Sequence, residues 1–201
     1  MIQKDKNIEF WFSIGSTYTY LTVRRIRKVI KESNLSIKFQ PFNVRTVMLE
    51  MENIPFPKSK KIKVDHMWRD IQRRAEFYNT DIPELPISYP LKNMDLANHI
   101  ALVGIKEGWC LDYLELTYYN WFINKQPAGE EENLINTFKK LNLDYEVIKN
   151  KANADDIKNN LIEQTNLAIS KGVFGSPTFI TEKEIFWGDD RLEDTIKWQN
   201  K

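Results

Sequence analysis

The chain must turn sharply within residues 170–181, SKGVFGSPTFIT, where two glycines and a proline separate a helical run from an apolar one. Gly172 predicts the left-handed residue that ends a helix. Pro177 has no N–H to donate, so it belongs at the start or edge of a strand, and the Ser176–Pro177 bond is a candidate for the cis form. A bend here would leave the backbone N–H and C=O of Ser176 free to pair with a bound peptide. The alternative interpretation is an ordinary Gly-Pro turn without a ligand.

The start of the chain predicts a β-α-β unit. Ile8–Ser13 is a short, aromatic and partly alternating run, which is typical of a strand. Ile14–Thr17 predicts a turn, and from Tyr18 to about Ser33 the apolar residues recur on one broad helical face. Leu35–Phe42 alternates again and predicts a second strand. Two strands joined by a helix are expected to pair in parallel through a right-handed crossover.

The middle of the chain, residues 45–151, predicts helices and loops without a convincing strand. Residues 51–57 and 82–90 hold closely spaced prolines and must be looped or extended. Helices with apolar residues at helical spacing are predicted at Lys60–Asn79, Asp95–Glu107, Leu111–Asn124 and Glu130–Leu141. The block therefore predicts an all-helical insertion.

Strands return near the end of the chain. A helix is predicted over residues 153–171, followed by two short strands, Thr178–Thr181 and Ile185–Trp187, and by a last helix, Arg191–Gln199. The order β-α-β, helical block, α-β-β-α predicts an α/β protein with a thioredoxin fold and a large helical insertion after the second strand. The predicted units are a thioredoxin-like domain of residues 1–44 and 152–201 and an inserted helical domain of residues 45–151.

Charge and composition exclude several classes of protein. The formal net charge of +1 argues against a nucleic-acid partner. No apolar run approaches the roughly 20 residues that span a bilayer, and the start lacks the pattern of a signal peptide, so we expect no membrane partner and a cytoplasmic location. Cys110 is the only cysteine, which excludes an internal disulfide and a Cys-x-x-Cys redox pair. His66 and His99 form no zinc-ligand motif, so no metal site is predicted.

Two motifs, GVFGSPTF at residues 172–179 and IFWGDDRLED at residues 185–194, closely resemble the 2-hydroxychromene-2-carboxylate isomerase family. That family is related to the kappa-class glutathione transferases within the DsbA-like thioredoxin superfamily, and the resemblance covers nearly the whole chain. It implies glutathione as cofactor and a small-molecule substrate. Because relatives are commonly dimers, it also implies a homodimer.

Ser16 lies where the first predicted strand meets the first helix. A helix N-terminus stabilises an anion and lowers the pKa of a thiol placed there. Because the chain has no cysteine at this point, the thiol would come from glutathione, and the resemblance makes Ser16 the catalytic serine that donates a hydrogen bond to the thiolate. Thr17 replaces the proline that relatives carry next. The alternatives are that Ser16 is a simple N-cap, worth about 1 kcal/mol, or that Ser13 has the role instead.

The resemblance implies that glutathione is bound by six residues of the two motifs: Ser176, Pro177, Trp187, Gly188, Asp189 and Asp190. Asp190 matches the aspartate that holds the ammonium of the γ-glutamyl group. Asp189 stands where relatives have a neutral residue, and a carboxylate facing the γ-glutamyl carboxylate is unfavourable, so its N–H is the expected contact. Ser176 would pair with the cysteinyl backbone. The alternative for the two aspartates is helix capping.

The resemblance also implies substrate contacts from Asn53, Ile54 and Tyr89, with a structural turn or core packing as the alternative. Leu49 stands where a family lysine would reach a substrate carboxylate. Other cations near this loop could replace it: Arg45, Lys58, Lys60 and Lys61.

The implied chemistry is addition of the glutathione thiolate to an electron-poor unsaturated carbon of an aromatic-derived substrate. An isomerase would expel glutathione after rotation about a bond, whereas a kappa-like transferase would release the conjugate. A non-catalytic thioredoxin-fold module that binds a peptide or protein across the Pro177 edge is the contrasting hypothesis.

Overall fold

A computed structural model describes residues 7–33, 36–53, 56, 59–182 and 184–200. The strands are β1 Asn7–Phe12, β2 Ser36–Pro41, β3 Thr178–Ile180 and β4 Ile185–Trp187. The helices are α1 Thr17–Ser33, α2 Val44–Glu50, α3 Lys61–Phe77, α4 Met94–Glu107, α5 Cys110–Phe122, α6 Glu131–Leu141, α7 Tyr145–Ala152, α8 Asp155–Ser170 and α9 Leu192–Gln199, with a 3-10 turn at Asp189–Arg191 before α9.

The four strands form one mixed sheet in the order β2-β1-β3-β4. β1 pairs in parallel with β2, so that Phe10 lies opposite Phe39, and antiparallel with β3, so that Phe10 also lies opposite Phe179. β4 pairs antiparallel with β3 at the edge of the sheet. The β-α-β start and the α-β-β-α end agree with the predicted order of elements.

Aromatic side chains join the sheet and the helices into one core. β1 lies between two strands, and its ring pair Phe10–Phe179 stacks at 5.3 Å between centroids. On the helical side, Tyr20 of α1 stacks on Phe122 of α5 at 4.2 Å, and both are fully buried. Burying a side chain of this size contributes about 1.5–3 kcal/mol. The Tyr20–Phe122 pair therefore stabilises the packing of the helical segment, α2 to α7, against α1.

The helical segment contains two short helices that its periodicity did not predict. The side-chain oxygen of Asn43 accepts the N–H of Thr46 at 3.0 Å and begins α2, and that of Asp144 accepts the N–H of Val147 at 2.9 Å and begins α7. Helices this short are defined more by their caps than by a repeating apolar face. The division into two domains at residues 44/45 and 151/152 stays a prediction.

The end of α8 confirms the turn expected at Gly172. Gly172 has φ +79°, the N–H of Val173 donates to Ala168 O at 2.9 Å, and the N–H of Gly172 donates to Ile169 O at 2.9 Å. These two bonds form a Schellman motif. The Ser176–Pro177 peptide bond is cis, and β3 starts directly after it.

Candidate functional site

The turn between β1 and α1 is held by two side chains from the helical segment. Asn98 of α4 is fully buried; its oxygen accepts the N–H of Ile14 at 2.9 Å, and its amide nitrogen lies 3.4 Å from Ile14 O. The hydroxyl of Tyr118, from α5, lies 3.1 Å from Ser13 O and 3.2 Å from Ser16 O. Because buried backbone groups are costly to leave unpaired, these contacts fix the turn that carries Ser16.

Ser16 and Ser176 are in direct contact although 160 positions separate them. The Ser16 hydroxyl donates to the carbonyl oxygen of Ser176 at 2.6 Å. The Ser176 hydroxyl in turn accepts the N–H of Ser13 at 2.8 Å and lies 2.8 Å from the hydroxyl of Thr19. The structure thus brings the predicted catalytic serine against the predicted peptide-pairing residue.

The surroundings of Ser16 suit an anion. α1 begins at Thr17, the residue after Ser16, and its first turn carries no acidic residue that would neutralise the positive end of the helix. Thr17 is buried, and its hydroxyl donates to the sulfur of Met67 at 3.1 Å. Ser13, the alternative to Ser16, is fully buried and accepts the N–H of Val44 at 3.4 Å. Its burial leaves Ser16, which is partly exposed, as the hydroxyl at the surface.

The two predicted glutathione motifs meet at Pro177 and Gly188. The N–H of Gly188 donates to Pro177 O at 3.0 Å. Trp187 is 54% exposed and packs on Phe174 with ring centroids 4.9 Å apart. A Cβ at Gly175 would lie 2.3 Å from the indole nitrogen of Trp187, so the indole can cover this turn only because residue 175 is glycine.

Asp189 is buried among cations and is 3% exposed. Its Oδ2 accepts the Nε of Arg74 at 3.0 Å and lies 3.7 Å from Nη2 of Arg25, which donates to Asp189 O at 2.6 Å. The hydroxyl of Tyr78 also lies 3.3 Å from Oδ2. Burial raises the pKa of the Asp189 carboxyl, while Arg74 and Arg25 act to lower it. The side chain is committed to protein partners, and the ligand contact expected of the Asp189 N–H stays a prediction.

Arg25 and Arg74 were missed by the sequence analysis. Arg25 lies one helical turn after Leu21 and beside Ile26, and Arg74 lies three residues after Ile71 on α3, so both interrupt buried helical faces. Residues three or four apart share one side of a helix, so each arginine could have been recognised as a charged residue on an apolar face. Such a residue requires a buried partner of opposite charge.

Asp190, predicted to hold the γ-glutamyl ammonium, is exposed beside this cluster. Its Oδ2 accepts Nη2 of Arg191 at 3.0 Å. A carboxylate in this position is accessible to a ligand cation, and its role stays a prediction.

The roles of the predicted substrate residues Asn53, Ile54 and Tyr89 stay predictions. Asn53 is exposed, and its N–H donates to Met48 O at 2.8 Å, which closes the end of α2; among the described residues no hydrogen bond joins it to Ser16 or Ser176. Ile54 lies outside the described residues. Tyr89 packs edge-on against Trp68 at 5.9 Å.

Leu49, in place of the expected lysine, is 56% exposed on α2. Arg45, on the same helix, is close enough to Tyr89 for its charge to act on the pKa of the phenol. Burial raises the pKa of Tyr89, and the charge of Arg45 acts to lower it. Lys61 pairs with Asp65 one turn along α3.

Cys110 is buried at 5% exposure, and burial raises the pKa of its thiol well above the usual range. It stays a neutral packing residue. The described residues hold no group of three or more His, Cys, Asp or Glu side chains arranged for a metal ion. No helix among them is long and apolar enough to cross a bilayer.

Comparison with known proteins identifies the family. The model of the DsbA-like thioredoxin domain matches residues 7–197, almost the whole chain. The chain belongs to the DsbA-like thioredoxin family. The α/β thioredoxin fold with a helical insertion, expected from the order of elements, is therefore confirmed.

Sequence comparison finds both kinds of relative that the motifs suggested. A 2-hydroxychromene-2-carboxylate isomerase of Pseudomonas putida is 26% identical over 92% of this chain and 90% of its own length. A protein of Caenorhabditis elegans named glutathione S-transferase kappa 2 is 23% identical over 93% of this chain and 88% of its own length. A solved structure of a 2-hydroxychromene-2-carboxylate isomerase superposes with a TM-score of 0.83 at 23% identity, covering 96% of this chain and 94% of the other. The resemblance stated from the two motifs is confirmed.

Proposed function

We propose that this DsbA-like protein is a glutathione-dependent enzyme in which Ser16 stabilises the glutathione thiolate. One observation carries the proposal: the Ser16 hydroxyl, at the N-terminus of α1, lies 2.6 Å from the carbonyl oxygen of Ser176, the residue before cis Pro177. The names of the relatives, an isomerase and a kappa glutathione transferase, support the same chemistry.

Binding of glutathione would exchange one set of hydrogen bonds for another. A hydroxyl has a single hydrogen, so Ser16 cannot donate to Ser176 and to a thiolate at once. When the cysteinyl unit pairs with Ser176, its N–H takes over the Ser176 carbonyl, and the Ser16 hydroxyl turns to the sulfur. The new bond to Ser16 is charge-assisted and therefore stronger than the neutral bond it replaces.

The positive end of α1 then favours the thiolate over the thiol. Its first turn holds no acidic residue, so the helix dipole acts on the sulfur undiminished. Helix N-termini and nearby donors lower thiol pKa values from about 8.5 into a range of roughly 3.5–7.5. Glutathione bound here would be ionised at neutral pH.

Bound glutathione would supply a nucleophilic thiolate, held by Ser16, for addition to an electron-poor unsaturated carbon of the substrate. An isomerase would allow rotation about the substrate carbon–carbon bond that addition makes single and would release glutathione unchanged. A transferase, the alternative that the kappa relative favours, would release the conjugate. We favour the isomerase, acting on a 2-hydroxychromene-2-carboxylate-like substrate, because the isomerase of P. putida is 26% identical to this chain and the kappa relative 23%.

Arg45 would replace the missing family lysine as partner of the substrate carboxylate. Among the cations near this loop that the structure describes, it is the one whose charge acts on Tyr89. We propose that Asn53, Ile54 and Tyr89 line the substrate side of the cleft. A cytoplasmic homodimer completes the proposal, and light scattering of the purified protein tests its assembly.

The deciding experiment measures thiolate absorbance of enzyme-bound glutathione against pH. We expect ionisation well below the pKa of free glutathione in wild type, and a pKa raised toward the free value in Ser16→Ala. Ser170→Ala, at the exposed end of α8, is the matched control and leaves the titration unchanged. An unchanged titration in Ser16→Ala would overturn the mechanism. Whether glutathione is regenerated or consumed during turnover distinguishes isomerase from transferase.

A further inference from the structure

The Arg74–Asp189 pair joins the helical segment to the glutathione motif. Arg74 lies on α3, and its Nε and Nη2 atoms reach the same oxygen of Asp189 at 3.0 and 2.9 Å. The two side chains differ in exposure: that of Asp189 is 5% exposed and that of Arg74 is 25% exposed. The carboxylate is therefore buried under the guanidinium, which itself reaches the surface.

Arg74 has hydrogen-bond donors left over. A guanidinium carries five N–H donors. Those of Nε and Nη2 are directed at Asp189 and Tyr78, whereas within the described part of the chain Nη1 has no hydrogen-bond partner. Arg25, on the other side of Asp189, uses Nε on Leu21 O, Nη1 on Glu193 and Nη2 on Asp189 O, and its side chain is only 9% exposed.

Asp190 follows Asp189 in the chain, one residue after the carboxylate that Arg74 binds. Burial acts to lower the pKa of Arg74, but it is raised on balance because of the negative charges of Asp189 and Asp190. Arg74 thus presents N–H donors and the exposed Asp190 presents carboxylate oxygens as acceptors. The negative charge of Asp190 acts on the Arg74 guanidinium. Asp189 and Asp190 follow directly after Gly188, whose N–H is bonded to Pro177 O at 3.0 Å. This backbone bond joins the segment that carries the two aspartates to the turn at Ser176, where the cysteinyl unit is proposed to pair.

We infer that Arg74 binds the α-carboxylate of the γ-glutamyl residue of glutathione, beside the ammonium contact already expected of Asp190, and that Asp189 is a positioning residue that fixes the Arg74 guanidinium. The inference rests on the proposed function and states how the same site recognises the amino-acid end of its cofactor. A free α-amino acid group carries one carboxylate and one ammonium, and a donor fork beside an exposed carboxylate is complementary to both.

Two glutathione analogues test this assignment by calorimetry. γ-Aminobutyryl-cysteinyl-glycine lacks only the α-carboxylate, and glutaryl-cysteinyl-glycine lacks only the amine. We expect wild type to bind glutathione roughly 10–100-fold more tightly than the analogue without the carboxylate, as for a charge-assisted bidentate pair. In Arg74→Gln this preference falls to within about threefold, while the preference over the amine-free analogue remains. A purely structural role of Arg74 would weaken both preferences together.

The neighbouring arginine provides the matched control. Arg73 is also on α3 but pairs with Asp70 at 3.3 Å, and Arg73→Gln keeps both preferences. Because Arg74→Gln leaves the buried Asp189 without its main partner, the double variant Arg74→Gln/Asp189→Asn removes that charge as well. It must show the same selective loss of the carboxylate preference.

The outcomes separate the two proposals. If wild type binds glutathione and the carboxylate-free analogue equally, or if the double variant still prefers glutathione, the role of Arg74 is wrong and the proposed function stands. If wild type binds no glutathione, both are wrong.

Discussion

The hydroxyl oxygen of Ser16 lies 2.6 Å from the carbonyl oxygen of Ser176, which joins the N-terminus of α1 to the residue before cis Pro177. Each group supplies what the other lacks, because the carbonyl needs a donor and the hydroxyl an acceptor. A glutathione cysteinyl unit could take both places, with its N–H on the carbonyl and its sulfur at the hydroxyl. The free protein is therefore already satisfied at the atoms that a ligand would use.

A thiol placed at Ser16 should have a low pKa without any cofactor. Ser16→Cys puts a sulfur at the positive end of α1, and we expect a pKa at least one unit below the usual value of about 8.5. Ser170→Cys, at the C-terminal end of α8, is the control, since the negative end of a helix disfavours a thiolate. Native Cys110 is 5% exposed and does not interfere. Alkylation rates measured against pH report both values, and equal values would contradict the electrostatic role given to α1.

The features that could be predicted from sequence are local. The backbone chemistry of Gly172 predicts a helix end, and that of Pro177 predicts a strand start. The structure has the helix end at Gly172 and the strand start directly after Pro177. The short helices α2 and α7 were missed because seven or eight residues give too little periodicity; their start signals are the caps Asn43 and Asp144.

The contacts between distant residues could not be predicted in the same way. Asp189 is bound by Arg25 and Arg74, which lie 164 and 115 positions away. Nothing local to Asp189 indicates these partners. The same holds for Asn98 and Tyr118, whose hold on the Ser13–Ser16 turn depends on how the helical segment packs on α1.

Asn98 should be needed for stability as well as for turnover. Asn98→Leu leaves the buried N–H of Ile14 without its partner, so we expect the free energy of unfolding to fall by about 2–4 kcal/mol and kcat to fall with it. Urea denaturation and kinetics measure the two effects. Asn159→Ala, an exposed position on α8, should change stability by less than about 0.5 kcal/mol. A stable Asn98→Leu variant with normal kcat would show that the turn needs no support from α4.

His99 gives the protein a pH-dependent contribution to stability. Burial lowers its pKa below the usual value, with Lys158 acting in the same direction and Asp95 against it. The unfolded chain then binds the proton first, so stability is lost as pH falls from about 6.5 through the lower folded pKa. NMR titration of the two histidines checks the direction, and His99→Gln should remove this part of the acid destabilisation. A His99 pKa above that of a free histidine would contradict the prediction.

Arg45 should matter only for substrates that carry a carboxylate. We expect Arg45→Gln to raise KM for 2-hydroxychromene-2-carboxylate by roughly 10–150-fold with little change in kcat, since a hydrogen bond to a charged group contributes about 1.5–3 kcal/mol. With a neutral electrophile both constants should stay as in wild type. Lys61→Gln, whose lysine pairs with Asp65, is the control. If the neutral electrophile is affected equally, Arg45 supports the helix and not the substrate.

Alanine at Gly175 should weaken glutathione binding, whereas alanine at Gly108 should lower stability and leave binding unchanged. At Gly175 a Cβ would lie 2.3 Å from the indole nitrogen of Trp187, which is 54% exposed and can swing into solvent. We therefore expect Gly175→Ala to cost less than about 1 kcal/mol, to change the near-UV circular dichroism, and to weaken glutathione binding roughly 3–10-fold because Trp187 leaves the site. At Gly108 a Cβ would meet no atom within 4 Å, but φ is +84°. Gly108→Ala should therefore cost about 1 kcal/mol of stability and leave glutathione affinity unchanged. If calorimetry found normal affinity in Gly175→Ala once the dichroism had changed, Trp187 would be a surface residue and no part of the glutathione site.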